Sequence, residues 1–173
     1  GLKILKSKKN LGIKTLIDIC KIENTPSIYH LGFMLGPRIN AGGRVGKCSH
    51  GANLLLDSNP RNVFKLATEL DQYNKERQIL EKELLQKILN ETKDCSKDPV
   101  LILSGKNWHE GVIGIVAARL KDKFNKPVII ISIENDIGKA SARSIVGFDI
   151  GSIIIAANQE KILLKGGGHK MAG

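Results

Sequence analysis

PVLILSGKNWHEGVIGIVAARLKDKFNKPVIIISIE, residues 99–134, decides the fold. It opens on a short apolar run, PVLILSG, that ends in a turn and reads as a buried strand. It closes on a second apolar strand, KPVIIISIE. Between them HEGVIGIVAARLKDKF reads as a helix, whose small residues Gly111, Gly114, Ala117 and Ala118 permit close packing. Downstream, NDIG (135–138) is a hairpin turn and KASARSI (139–145) alternates as a strand. FDIGSIIIAANQ (148–159) is a further helix, and ILLKGGGH follows it. Strands alternating with helices imply a sheet under helical cover. The fold class expected is α/β, a mixed sheet flanked by helices.

Upstream lies one long predicted helix. Asp57, Ser58 and Asn59 are cap candidates, and Pro60 suits the first helical position. No Gly or Pro follows before about Asp94, and Leu66, Leu70, Tyr73, Leu80, Leu84 and Ile88 recur at helical spacings, with Arg77 interrupting. At about 1.5 Å per residue such a helix runs roughly 50 Å. Its mixed-charge faces suggest a solvated strut joining two lobes, with a coiled-coil dimer as the rival. Before it come short amphipathic pieces broken by glycine. LGIKTLIDICKI places Leu11, Leu16, Ile19 and Cys20 on one face. SIYHLGFMLGPRI starts at a plausible cap, Ser27. HGANLLLDSNP ends the region. The chain therefore divides into 1–57, 58–94 and 95–173.

An apolar content of 42% over 173 residues supplies a core, and no apolar run reaches the roughly 18 residues of a membrane span. The N-terminus has neither a secretory pattern nor an initiator Met, which reads as a processed or excised start. Cys20, Cys48 and Cys95 are odd in number and lack close spacing, so reduced thiols of a cytoplasmic protein are expected. The net charge of +10 is clustered. Residues 1–17 carry Lys3, Lys6, Lys8, Lys9 and Lys14 with no acid, and 24–56 carry Arg38, Arg44 and Lys47 with none. Clustered basicity points to a polyanion, most simply nucleic acid; the competing reading is a merely soluble basic protein.

Four stretches could carry chemistry. GPRINAGGRVGK (36–47) has four glycines, a proline and an asparagine, too many for a stable helix. As a loop it would expose amides in an anion nest, with Arg38 and Arg44 as planar forks for phosphate oxygens. Trp108 and His109 fall at a strand-to-helix junction, where α/β sheets favour ligands; Trp108 either stacks a base or anchors the core. In KASARSI, strand alternation turns Lys139, Ser141 and Arg143 to one face, giving an ammonium, a hydroxyl and a guanidinium that all suit phosphate. The alternative is an edge strand with a polar outer face. Last, His169 follows Gly166, Gly167 and Gly168, where nothing crowds its approach to a phosphate oxygen. The aspartates are scattered, without ligand spacing to a histidine. Phosphodiester hydrolysis normally uses two metals, so this chain carries substrate-holding residues and lacks the metal ligands.

Taken in order and spacing, GPRINAGGR, NWHEGVIGIVAARL, SARSIVGFD and LLKGGGHKMAG resemble the bacterial single-strand-specific exonucleases of the DHH phosphoesterase superfamily. LGIKTLIDI and ELDQYNKERQ are similar to them too, so the likeness covers essentially the whole chain. It implies that residues 1–57 are the C-terminal helical part of the DHH catalytic domain. It makes 58–94 the connecting helix and 95–173 the DHH-associated substrate-binding domain. No Asp-His-His triplet is present, so the two divalent metals (Mn2+ or Mg2+) would be bound by sequence absent here, and the chain reads as cut at both ends. The resemblance further implies a 5′→3′ exonuclease of DNA repair and recombination with single-stranded DNA as substrate. It suggests a helicase or single-strand-binding protein as candidate partner, a monomer, and no membrane. Ser141 and Arg143 match positions at the 5′ phosphate, Arg38 or Arg44 a phosphate-binding arginine, and Gly166–His169 a loop facing the scissile phosphate. Small departures are Gly43 in place of alanine, Ala142 in place of glycine, and HKMAG in place of HAMAAG. Two other readings stay open. One is a non-catalytic nucleic-acid-binding module, since related domains occur in alanyl-tRNA synthetase. The other is a phosphodiesterase of the same superfamily for short or cyclic nucleotides.

Overall fold

The computed structural model describes residues 2–91 and 98–173. Asp94, Cys95 and the rest of 92–97, where the long helix is expected to end and the last domain to begin, lie outside the described residues. The chain divides into two compact units, Gly1–Ile79 and Leu80–Gly173.

The first unit is helical. It comprises α1 (Leu2–Lys6), α2 (Leu11–Ile19), a π-helical stretch His30–Leu35 that runs into α3 (Gly36–Val45), α4 (Ser49–Leu56) and the first part of α5 (Pro60–Glu91). Asn10 starts α2: its Oδ1 accepts the Ile13 N–H at 3.0 Å, and its Nδ2 donates to the Leu55 carbonyl at 2.9 Å. That pair of bonds fixes the start of α2 against the end of α4. Leu16 and Ile17 carry the burial of α2, joined by Leu35, Leu54, Val63 and Leu70, whereas Leu11, Ile19 and Cys20 are half-buried. All three still pack against this core, as does Ile13, so the face read from the sequence is the inward one. Ser27 does open a helix, with its carbonyl accepting the Leu31 N–H at 3.1 Å.

One expectation is overturned here. GPRINAGGRVGK is not a loop, because it is helical from Gly36 to Val45. Pro37 stands at the junction of the π-helical stretch and α3, directly after Gly36, whose N–H donates to the Leu31 carbonyl. At Gly42 a side chain is excluded, since a Cβ would lie 2.5 Å from the Lys47 carbonyl oxygen and 3.3 Å from Leu70 Cδ2. Close tertiary packing thus outweighs poor intrinsic propensity. The amides of the segment serve the helix, so they do not form an open anion nest.

The caps of α5 follow the sequence. Asn59 Oδ1 accepts the Arg61 N–H at 3.0 Å, and Pro60 is the first helical residue. As expected of a connecting helix, α5 takes part in both units and most of its charged positions are exposed. Val63, Ala67 and Leu70 are buried in the core of the first unit, and Leu84 and Ile88 in that of the second.

The second unit is α/β. Strand β1 (Leu101–Lys106), helix α6 (Glu110–Phe124) and strand β2 (Val128–Glu134) form a parallel strand–helix–strand unit. In it Leu101 pairs with Val128 and Lys106 with Ile133. Asn135 and Asp136 both have positive φ, 49° and 60°, as a two-residue hairpin turn requires. They return the chain as β3 (Ile137–Arg143), antiparallel to β2. The mixed sheet has the order β1-β2-β3. Its core joins Leu101, Val128 and Ile130 to Val112, Val116, Ala117 and Leu120 of α6. Helix α7 (Ile150–Gln159) follows, capped by Asp149, whose Oδ1 accepts the Ser152 N–H at 3.1 Å. That bond holds the Asp149 carboxyl below the usual range. The last residues then return along the outer edge of β3. The Ala142 N–H donates to the Gly173 carbonyl at 2.7 Å, and the Ser144 N–H to the Met171 carbonyl at 2.9 Å. Among the described residues no helix is long and apolar enough to cross a membrane.

A candidate phosphate-binding face on the third strand

Antiparallel pairing sets which way β3 faces. Val128, Ile130 and Ser132 stand opposite Arg143, Ser141 and Lys139 in register, and directly opposed residues share a face. Val128 and Ile130 are fully buried in the core that includes α6. Lys139, Ser141 and Arg143 therefore extend this face toward the N-terminal half of α6. Contacts agree: Lys139 Nζ lies 2.8 Å from Glu110 Oε1, and a Cβ built on Gly114 would lie 2.8 Å from Ser141 Oγ. The Glu110 carboxylate, hydrogen-bonded to the lysine, pushes the Lys139 ammonium pKa up. Lys139 is thus a paired cation at an exposed position, a partnership no sequence spacing announces.

Ser141 and Arg143 form a fork. Arg143 Nη1 donates to Ser141 Oγ at 3.2 Å and to the Ala142 carbonyl at 2.6 Å, which holds the half-buried guanidinium over the serine. A planar guanidinium held beside a hydroxyl matches the geometry of a phosphate with several acceptor oxygens. The first turn of α6 lies on the same face, where helix-terminal dipoles favour an anion.

The GGGH segment is placed by two close backbone approaches. Gly151, in the first turn of α7, has no room for a side chain: a Cβ would lie 2.6 Å from the His169 carbonyl carbon. At Gly168 a Cβ would lie 2.4 Å from the Ala172 oxygen. His169 and Ala172 close a tight turn, His169 N–H to Ala172 O at 2.8 Å and Ala172 N–H to His169 O at 3.0 Å. The turn leads directly to Ala172, which bridges to Arg143. His169 is exposed, and its Nδ1 accepts the Met171 N–H at 3.3 Å, leaving Nε2 as the protonated nitrogen of the neutral ring. Gly166 is half-buried; Gly167 is exposed with open space where a side chain would go.

Other candidates stand differently. Trp108 is only 8% exposed and packs in the core, with its indole against Gly105, where there is no room for a Cβ beside Cε2, Cζ2 and Nε1. Its ring face is not presented for base stacking. His109 is the N-cap of α6, with Nδ1 accepting the Gly111 N–H at 3.1 Å. Arg38 and Arg44 belong to the first unit. Arg38 is tied down, its Nε donating to Asp71 Oδ1 and its Nη1 to the Met34 carbonyl, both at 2.8 Å. Burial would push the Asp71 carboxyl up, but hydrogen bonds from Lys75 and Arg38 hold it below the usual range. Arg44 lies exposed in the last turn of α3. Six residues separate the two on one helix, so they point to different faces. Among the described residues no three His, Cys, Asp or Glu side chains converge on a metal position. The residues described do not fit a divalent metal site.

Residues 97–173 match the DHHA1 domain family. The chain is 35% identical to the single-stranded-DNA-specific exonuclease RecJ of Bacillus subtilis, over 99% of this chain and 22% of that protein. Identity to RecJ of Haemophilus influenzae is 38%, covering 94% of this chain and 30% of that one. The crystal structure of RecJ in complex with Mg2+ from Thermus thermophilus superposes with a TM-score of 0.87 at 30% identity, over 99% of this chain and 26% of that one. A Mn2+ complex from the same organism gives the same TM-score of 0.87. The chain thus spans less than a third of the length of these relatives.

Proposed function

The chain belongs to the RecJ family of DHH phosphoesterases, its residues 97–173 being a DHHA1 domain, and on that premise we propose that it is the strand-gripping part of a 5′→3′ single-stranded-DNA exonuclease. The observation that carries the reading is the fork on β3. Arg143 and Ser141 stand together on one face, held by the Ala142 carbonyl and flanked by the first turns of α6. A terminal phosphate would accept from the guanidinium along two parallel N–H directions and from the serine hydroxyl. Lys139 would add an ammonium donor at the rim, its charge offset by the Glu110 carboxylate. His169, on the turn beside the same strand edge, would donate from Nε2 to a phosphate oxygen further along the strand. Arg44, exposed at the end of α3, is more accessible to a backbone phosphate than Arg38, which is half-buried.

Hydrolysis itself belongs to residues outside those described. A divalent metal would activate water there, as RecJ structures with Mg2+ and Mn2+ support for the family. The exposed lysines Lys3, Lys6, Lys9 and Lys14 fit contact with a nucleic-acid backbone. A role in DNA repair and recombination in the cytoplasm, with a helicase or single-strand-binding protein as partner and a monomeric enzyme, completes the proposal.

Binding of labelled single-stranded DNA to the 173-residue chain, followed by anisotropy across a salt series, tests the grip. Neutralising about three phosphates gives a slope of log K against log salt of roughly −2. A flat dependence would remove the basic residues from the contact surface.

A further inference from the structure

We propose that Gly114 is the positioning residue of the Ser141–Arg143 fork: its bare Cα leaves the space in which the two groups stand. The inference rests on the reading that this fork holds a terminal phosphate. Gly114 lies one turn beyond Glu110 on α6, so both look toward β3. Glu110 reaches Lys139, and Gly114 lies over Ser141 and Arg143. A Cβ at Gly114 would be 2.8 Å from Ser141 Oγ, 3.0 Å from Arg143 Nη2 and 3.6 Å from Ser141 Cβ. The first two distances fall inside the roughly 3.5 Å at which non-bonded heavy atoms rest.

The identity of those atoms matters more than the distances. At Gly12 and Gly42 the obstacles are carbonyl oxygens of the backbone, so a side chain there would strain the fold. At Gly114 the three nearest atoms all belong to side chains, two of them at the tips of Ser141 and Arg143. The fold can accept an alanine by moving those tips, but it cannot then keep them where they are. Helix stability does not explain the glycine, since glycine in a helix interior is less favourable than alanine. The close approach at this position is to the fork's own side chains, whereas Ala117 of the same helix is fully buried with its methyl group in place. Arg143 is fastened through Nη1 to Ser141 Oγ and the Ala142 carbonyl, and Nη2 is the nitrogen that faces Gly114 and would meet the added methyl group.

The test uses the full-length protein and compares kcat/KM on single-stranded DNA with a 5′ phosphate and with a 5′ hydroxyl. Gly114→Ala should reduce the preference for the phosphorylated end by about tenfold, the scale expected when a binding group moves by a fraction of an ångström. Its melting temperature should hold or rise, which separates displacement of the fork from damage to the fold. In an Arg143→Ala background, Gly114→Ala should cause no further loss of preference, because the displaced group is already gone. If Arg143→Ala leaves the preference unchanged, the phosphate reading fails, and this inference fails with it. If Arg143→Ala abolishes the preference while Gly114→Ala keeps it, the reading stands and Gly114 is not a positioning residue. Equal losses on both ends with a lower melting temperature would also overturn the positioning role.

Discussion

Replacing Arg143 by alanine in the full-length protein should damage recognition of the 5′ end more than any other step. The guanidinium is half-buried, held over Ser141, and fixed by the Ala142 carbonyl at 2.6 Å, so it meets a ligand with little ordering left to do. A charge-assisted hydrogen bond is worth about 1.5–3 kcal/mol. At about 1.4 kcal/mol per decade, that becomes roughly a 10- to 150-fold loss in kcat/KM on 5′-phosphorylated single-stranded DNA. A terminal phosphate carries more charge than an internal one, so 5′-hydroxyl ends should lose much less. The substitution also removes the bonds from Nη1 to Ser141 and Ala142, which should lower stability by about 0.5–1.5 kcal/mol. A thermal melt therefore accompanies the kinetics. Equal losses on both ends would show a general support of the strand and refute the 5′-phosphate role. Changes under about 0.5 kcal/mol on both would make Arg143 an ordinary surface residue.

Three further outcomes are expected. The purified 173-residue chain should release no nucleotides from 5′-labelled single-stranded DNA with Mn2+ or Mg2+, because no metal-ligand cluster exists among its described residues; robust metal-dependent release would refute this. Gly12→Ala should destabilise the chain by about 1–3 kcal/mol in chemical denaturation, despite alanine's better helix propensity, since its Cβ would meet the Leu54 carbonyl oxygen. An unchanged midpoint would mean that α2 and α4 do not pack as described. Asp71, whose carboxyl is held below the usual range by Lys75 and Arg38, contributes stability that is present above the unfolded pKa of about 3.9 and lost as pH falls through the lower folded value. Asp71→Asn should therefore weaken the chain at neutral pH and flatten the acid limb of its stability profile, and an unaltered acid limb would contradict the ion pair.

The strand–helix–strand unit was legible because each piece carries its own local signal. Two short apolar runs flank a helical pattern, and Asn135-Asp136 can adopt the positive φ values of the turn. The shared face of Lys139, Ser141 and Arg143 was legible for the same reason, since alternation in a strand is a local rule. Partners distant in sequence were not. Arg38 and Asp71 stand 33 residues apart, and Lys139 and Glu110 29 apart, with no spacing to couple them. Helix α3 was misread because its glycines look like breakers until the Lys47 carbonyl and Leu70 of α5 are seen to press against Gly42. Trp108 shows the same limit: a junction tryptophan reads as a stacking platform or a core anchor, and only Gly105 beneath it decides. In α5 the charged faces were visible, but the division of its apolar positions between two cores was not.

The most direct measurement is a structure of the full-length protein, inactivated at its metal ligands, with a 5′-phosphorylated oligonucleotide. The terminal phosphate is expected within hydrogen-bond distance, about 3 Å, of both Ser141 Oγ and the Arg143 guanidinium, above Gly114. A terminal phosphate bound elsewhere, with Ser141 and Arg143 touching only protein, would contradict the assignment of this face to the 5′ end.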